Sequence, residues 1–111
     1  MAKKQTMDHT ALLVLSLLSR GDMYGYQMIA ELERQSDHTF SMKEGTLYPI
    51  LHGLEQAGAV ESYRQEAPTG RERKYYRLTE KGGALLKTET ESWRRYSHGV
   101  NAVLEHAAGL A

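Results

Sequence analysis

Two groups of residues in this sequence have the types and spacing to act on a polyanion. The first is Lys43, Gly45, Thr46, Tyr48 and Pro49, inside the run Ser41-Met42-Lys43-Glu44-Gly45-Thr46-Leu47-Tyr48-Pro49-Ile50-Leu51. The second is Thr69, Gly70, Arg71, Arg73 and Lys74. Lysine and arginine bring charged donors to phosphate oxygens, and hydroxyls bring neutral ones. Glycine exposes backbone donors at close range. From Arg64 to Arg77 the cations Arg64, Arg71, Arg73, Lys74 and Arg77 outnumber the anions Glu66 and Glu72, in a chain whose formal net charge is zero. The balance lies elsewhere, notably in Glu31, Glu33, Glu89, Glu91 and Glu105. A generic polycation is excluded, whereas charge asymmetry of this kind is what a sequence-specific nucleic-acid binder needs.

Bond-making chemistry is not indicated. His9, His38, His52, His98 and His106 form no i, i+4 pair and have no carboxylate at metal-ligand spacing. Ser16 and Ser19 lack the glycines of a nucleophile elbow, and Gly21, Gly25, Gly45 and Gly53 make no phosphate loop. The absence of cysteine removes disulfides and thiolate chemistry. Neither an enzyme nor a metal or other cofactor is expected.

The elements that must position the two groups can be read from periodicity. Ser41 with Glu44 three residues on predicts a capping box at the start of a helix. Leu47, Ile50, Leu51 and Leu54 then make one apolar stripe, with Lys43, Thr46, Tyr48 and His52 opposite. Pro49 lies within that helix and should bend it. Residues 59–66 and 71–78 read as strands joined by a turn through Ala67-Pro68-Thr69-Gly70. Helix followed by basic hairpin is the outline of a winged helix, with Tyr76, Leu78 and the helix leucines in its core.

Upstream, Asp8 to Arg20 reads as a helix apolar on more than one face, so that Leu12 and Leu15 could serve either a central core or a second subunit. Gly21 ends it. Asp22 is a candidate N-cap for a helix over residues 23–35, packing through Tyr26, Ile29 and Leu32, and Phe40 is expected to plug the core beneath the connection that follows. After Thr79, a good N-cap, residues 80 to about 108 read as one helix on the order of 40 Å long, more than so small a domain can cover. Leu86, Trp93, Tyr96, Val100, Val103, Ala107 and Leu110 follow a heptad spacing along it, interrupted where Glu89 takes the missing position. Such a seam predicts a homodimer built from this helix and the first one. Trp93 reads as its packing anchor.

The strings Gly45-Thr46-Leu47-Tyr48-Pro49-Ile50-Leu51-His52-Gly53-Leu54-Glu55 and Gly70-Arg71-Glu72-Arg73-Lys74-Tyr75-Tyr76-Arg77-Leu78-Thr79-Glu80-Lys81-Gly82, with Gly25-Tyr26 upstream, resemble the PadR family of transcriptional repressors. The likeness covers roughly residues 10 to 82. Glu91-Ser92-Trp93 further resembles the small branch with a single C-terminal helix, which includes multidrug-binding repressors. The resemblance implies a mainly α fold with a small β-hairpin, a winged helix-turn-helix plus a long C-terminal dimerisation helix. It divides the chain into an arm at residues 1–7, a DNA-binding domain at 8–79 and a dimerisation helix at 80–111. It also implies a double-stranded DNA operator as partner, read as an inverted repeat, and a small aromatic effector stacking on Trp93 and Tyr96 at the dimer centre.

Two other readings compete: a hydrophobic small-molecule sensor or sequestering protein with weak DNA contact, and a winged helix that docks another protein through its basic wing. The composition, 41% hydrophobic and 25% charged, is ordinary for a globular domain. No apolar run approaches a membrane span, and Met1-Ala2-Lys3-Lys4-Gln5 lacks the core of a secretory signal, so the expected location is the cytoplasm.

Overall fold

The computed structural model describes residues 9–109, so the expected N-terminal arm and Leu110 of the seam lie outside the described residues. The elements run α1 (His9–Leu18), β1 (Met23–Tyr24), α2 (Gly25–Gln35), α3 (Glu44–Gln56), β2 (Val60–Glu66), β3 (Glu72–Leu78) and α4 (Glu80–Ala107). The fold is mainly helical with a three-stranded antiparallel sheet in the order β1-β3-β2. It is a winged helix with a long C-terminal helix.

The α1 helix is central because its apolar residues occupy several sides. Val14, Leu15, Leu17 and Leu18 are all buried, against Met28 and Leu32 of α2, Leu47, Leu51 and Leu54 of α3, and Val60 and Tyr76 of the sheet. Leu15 has no exposed surface at all, which corrects its assignment to a subunit interface: it belongs to the core of its own protomer. Leu12 stays half-buried.

The second helix begins at Gly25, not Met23, because Met23 and Tyr24 pair with Tyr76 and Tyr75 as a third strand. Asp22 therefore does not cap it. The Asp22 carboxylate accepts from the Tyr63 hydroxyl at 2.7 Å, and Gln27 Oε1 accepts from the Tyr24 N–H in its place. Met28 and Leu32 are the buried positions of α2. Tyr26, two positions and so about 200° round the helix from Met28, is 65% exposed and not part of the packing face.

On the outer side of α2 the Arg34 guanidinium at 2.7 Å, and the Gln35 amide at 2.8 Å, hold the Glu31 carboxyl down at a pKa of about 2. A depressed carboxyl contributes stability that is full above its unfolded value of 4.5 and is lost as pH falls towards 2. Glu31→Gln should therefore lower stability slightly at neutral pH, where the exposed pair contributes, and flatten the acid limb so that the two proteins converge towards pH 2, as read by denaturant midpoints from pH 2 to pH 7.

Between α2 and α3, Asp37 and His38 take positive φ angles of 54° and 64°. Phe40 does not plug the core. Its N–H is held by the Ser36 hydroxyl at 3.0 Å, the ring is 44% exposed, and Met42 is the connector side chain that reaches inside. The expected capping box is also absent: Lys43 is the N-cap, its carbonyl takes the N–H groups of Thr46 and Leu47, and Glu44 is the first helical residue. Leu47, Leu51 and Leu54 are buried as the stripe requires. Pro49 lies inside α3 and has no N–H to offer the Gly45 carbonyl one turn back.

The β2–β3 hairpin pairs Val60 with Leu78 through to Glu66 with Glu72. Its turn is closed by Ala67 and Gly70, whose φ of 90° suits glycine. The Thr79 hydroxyl caps α4 as expected, accepting from Gly82 N–H at 3.0 Å and donating to the Gly58 carbonyl at 2.6 Å.

Leu85 and Leu86 still pack partly on the core, and beyond them α4 leaves it. The radius of gyration, 16.6 Å, exceeds the roughly 13 Å of a compact chain of about 100 residues. The excess is this helix, whose 28 residues extend about 42 Å.

Candidate nucleic-acid interface

Lys43, Gly45, Thr46, Tyr48 and Pro49 are all exposed on the N-terminal half of α3. Tyr48 leans back so that its hydroxyl lies on Gly25 at the start of α2, a place that any side chain at position 25 would take. Burial, then Tyr76 and Glu44, raise its phenol pKa, while Lys74 of the wing pulls the other way. The Glu44 carboxylate lies beside Tyr26 of α2 and raises the Tyr26 phenol likewise. Residues of α2, α3 and β3 thus form one continuous surface.

Tyr26 and Glu44, which the sequence assigns to a packing face and a capping box, are both exposed on this surface. Exposure on an otherwise well-packed helix pair is the signal that singles them out.

The wing divides its cations between two faces. Alternation along β3 sends Lys74, Tyr76 and Leu78 towards the core and α3, and Arg73, Tyr75 and Arg77 to the outer face. On that outer face the Arg73 guanidinium lies 4.4 Å over the Tyr24 ring and Arg77 4.8 Å over Tyr63, while Tyr24, Tyr75 and Tyr63 sit side by side at 5.5 and 5.7 Å. Arg77 also pairs with Glu61 at 3.2 Å.

Arg73 is therefore half-buried against the Tyr24 ring, whereas Lys74 is exposed on the side of α3, with its Nζ 5.6 Å from the centroid of the Tyr76 ring. Directly across from Lys74 in the register stands Arg64, a cation not selected from the sequence. The pairing of Val60 with Leu78, both apolar and inward, already fixes that parity. Thr69, Gly70 and Arg71 are exposed at the tip.

On α4, Trp93, Tyr96, Val100, Val103 and Leu104 are between 38% and 66% exposed, an uncovered apolar band, with Ala107 exposed beyond it. Trp93 and Tyr96 lie 5.8 Å apart, and His9 of α1 meets Trp93 edge-on at 4.7 Å. Arg95, Tyr96, Gly99, Val100, Val103 and Leu104 line a shallow groove there. Leu86 is half-buried against its own domain and so is less available than the rest of the seam. Among the described residues no cluster of His, Cys, Asp or Glu could hold a metal ion, and no helix is long and apolar enough to cross a membrane.

The sequence is similar to the transcriptional regulator Rv3488 of Mycobacterium tuberculosis, 33% identical over 96 residues that span 86% of each chain. Among solved structures, the fold is similar to a transcriptional regulator from Clostridium thermocellum, with a TM-score of 0.78 at 33% identity over 85% of this chain and 91% of that one. It is likewise similar to a PadR family transcription regulator from Clostridium difficile, with a TM-score of 0.75 at 34% identity over 87% of this chain and 99% of that one. Residues 14–88 match the transcriptional regulator PadR-like family, from the core of α1 to the third turn of α4. This chain belongs to that family of transcriptional regulators.

Proposed function

We propose that the chain represses transcription as a homodimer on an inverted-repeat operator, with α3 of each copy in a major groove and the two half-sites about 10 base pairs or a multiple apart. Residues 8–79 are the DNA-binding unit in this reading, and 80–111 the pairing helix. Lys43, Gly45, Thr46, Tyr48 and Pro49 face the groove, and Thr69, Gly70, Arg71, Arg73 and Lys74, joined by Arg64, face the backbone. The observation that carries it is the common exposed surface of α3 and the wing, where Tyr48 and Lys74 come within electrostatic reach of each other. A cytoplasmic location follows from that role.

The test is binding to duplex from immediately upstream of the protein's own coding region, with unrelated DNA as competitor, over a range of salt. Nanomolar, competitor-resistant binding is expected. Arg71→Ala and Lys74→Ala should each reduce the slope of log affinity against log salt by about one unit. Arg73→Ala should do so only if its guanidinium leaves Tyr24 for a phosphate. Slopes that none of the three changes would remove the wing from the interface.

In the same reading, Leu12, Leu86, Trp93, Tyr96, Val100, Val103 and Ala107 make the dimer contact. The exposed Trp93 and Tyr96 rings at its centre also favour a flat aromatic effector. Its binding would change the angle between the two winged helices, and effector and operator would then weaken each other by the same factor. Planar aromatics should quench the fluorescence of Trp93, the sole tryptophan, saturably and raise the operator dissociation constant in parallel. Quenching with no change in operator binding would favour a sensor or sequestering role.

A further inference from the structure

Glu44 sits in the middle of the surface just described, flanked by Lys43 and Gly45 and within electrostatic reach of Tyr26 and Tyr48. A carboxylate here works against every phosphate contact its neighbours make, because DNA is a polyanion. It also has no ion-pair partner among the described residues. An ionised carboxylate can only accept hydrogen bonds. In the major groove the groups that donate to it are exocyclic amines, and cytosine N4 is the one a carboxylate pairs with.

Position agrees with that use. Side chains in the first turn of a recognition helix are those that reach base edges. Tyr26, from the preceding helix, lies near enough to the Glu44 carboxylate for that charge to raise its phenol pKa, and its ring is 65% exposed. A carboxylate with one donor nearby keeps lone pairs for a second. Nothing in the packing of α3 requires this residue: Glu44 is exposed, and the turn it opens is capped at Lys43 without a side chain.

We propose that Glu44 is a specificity-determining residue, accepting a hydrogen bond from the N4 amine of a cytosine at one position of each half-site, and that Tyr26 is the positioning residue that holds it. This rests on the DNA-binding reading above. The two fail differently in one experiment: selection from randomised duplexes followed by titration of single-base variants, with the full chain and its Glu44→Gln, Glu44→Ala and Tyr26→Phe variants, each first shown to melt as the unaltered protein does.

The unaltered chain should prefer cytosine at one half-site position by about tenfold or more. Glu44→Gln should move that preference to adenine, which an amide pairs through N6 and N7. Glu44→Ala should lose preference at that position alone. Tyr26→Phe should weaken the cytosine preference and leave other positions as they were, a pattern that loss of packing would not produce. If Glu44→Ala binds every duplex more tightly with the sequence pattern intact, Glu44 is only a repelling charge and the inference is overturned. An unchanged pattern in Tyr26→Phe removes the positioning role. If the unaltered chain selects no sequence, the operator reading itself falls and takes the inference with it.

Discussion

Gly82→Ala should unfold at a urea concentration about 1–2 M below that of the unaltered protein, a loss of ~2–4 kcal/mol at a typical denaturant slope. Gly82 is the buried residue of α4, at the turn where the helix crosses the end of β2. A methyl group there would run into the backbone carbonyl of Ala59 and the Cδ1 of Leu78. The carbonyl cannot step aside cheaply, because it accepts from the Thr79 N–H at 3.0 Å, and Thr79 is the cap of the same helix. Relief of the clash therefore costs either that bond or the seating of α4 on the sheet.

The neighbouring Gly83→Ala is the control. A Cβ there meets nothing within 4 Å, so the higher helix propensity of alanine should add up to about 1 kcal/mol. Both are to be measured at one protein concentration, since assembly shifts apparent stability. Equal midpoints for the two variants would mean that the α4–β2 contact is looser than its geometry.

That junction was legible in the sequence up to a point. Thr79 is a cap by residue type and Gly82 could be anything, so the cap was predicted and the close approach was not. The same division runs through the fold. The stripe of Leu47, Leu51 and Leu54 and the two long strands follow from periodicity, which records what a segment buries. The third strand does not, because Met23 and Tyr24 are too few to show a period, and only their pairing with Tyr76 and Tyr75 makes them one. Losing Tyr24 to the sheet moved the start of α2, released Asp22 to Tyr63, and left Tyr26 outside.

Capping misled at Ser41 for a related reason. The pattern with Glu44 is local, and the buried anchor Met42 between them fixes the chain differently. In the candidate site, residue types single out a side of α3 that is exposed in the structure, and strand parity separates Arg73 from Lys74 and brings in Arg64.

In the proposed dimer, Val100→Glu should leave each copy folded and abolish pairing. Val100 is one turn from Tyr96 and near the middle of the uncovered band, and its substitution would place two carboxylates together in an apolar contact, where unpaired charge is strongly disfavoured. Sedimentation at micromolar protein should show a monomer. Operator affinity should fall by a factor on the order of 10² or more, since a single winged helix keeps only half the contacts and specific sites exceed non-specific ones by about 10³ to 10⁷. His98→Glu, about 200° round the helix from Val100, should change neither. A Val100→Glu protein that still sediments as a dimer would move the interface off this band.

The strand order has a consequence for how copies meet. With β3 in the middle, the sheet has two open edges, and open edges are where proteins add unwanted strands. One edge, β1, is two residues long and offers almost no template. The other, β2, reads Val-Glu-Ser-Tyr-Arg-Gln-Glu, so a strand laid along it from a second copy would set Glu61, Arg64 and Glu66 against a partner's side chains with no apolar row to reward the match. Fibrous, edge-to-edge growth is thereby discouraged without a proline or a bulge, and the uncovered apolar band of α4 is the surface on which, in the proposed dimer, two copies would close on each other and stop.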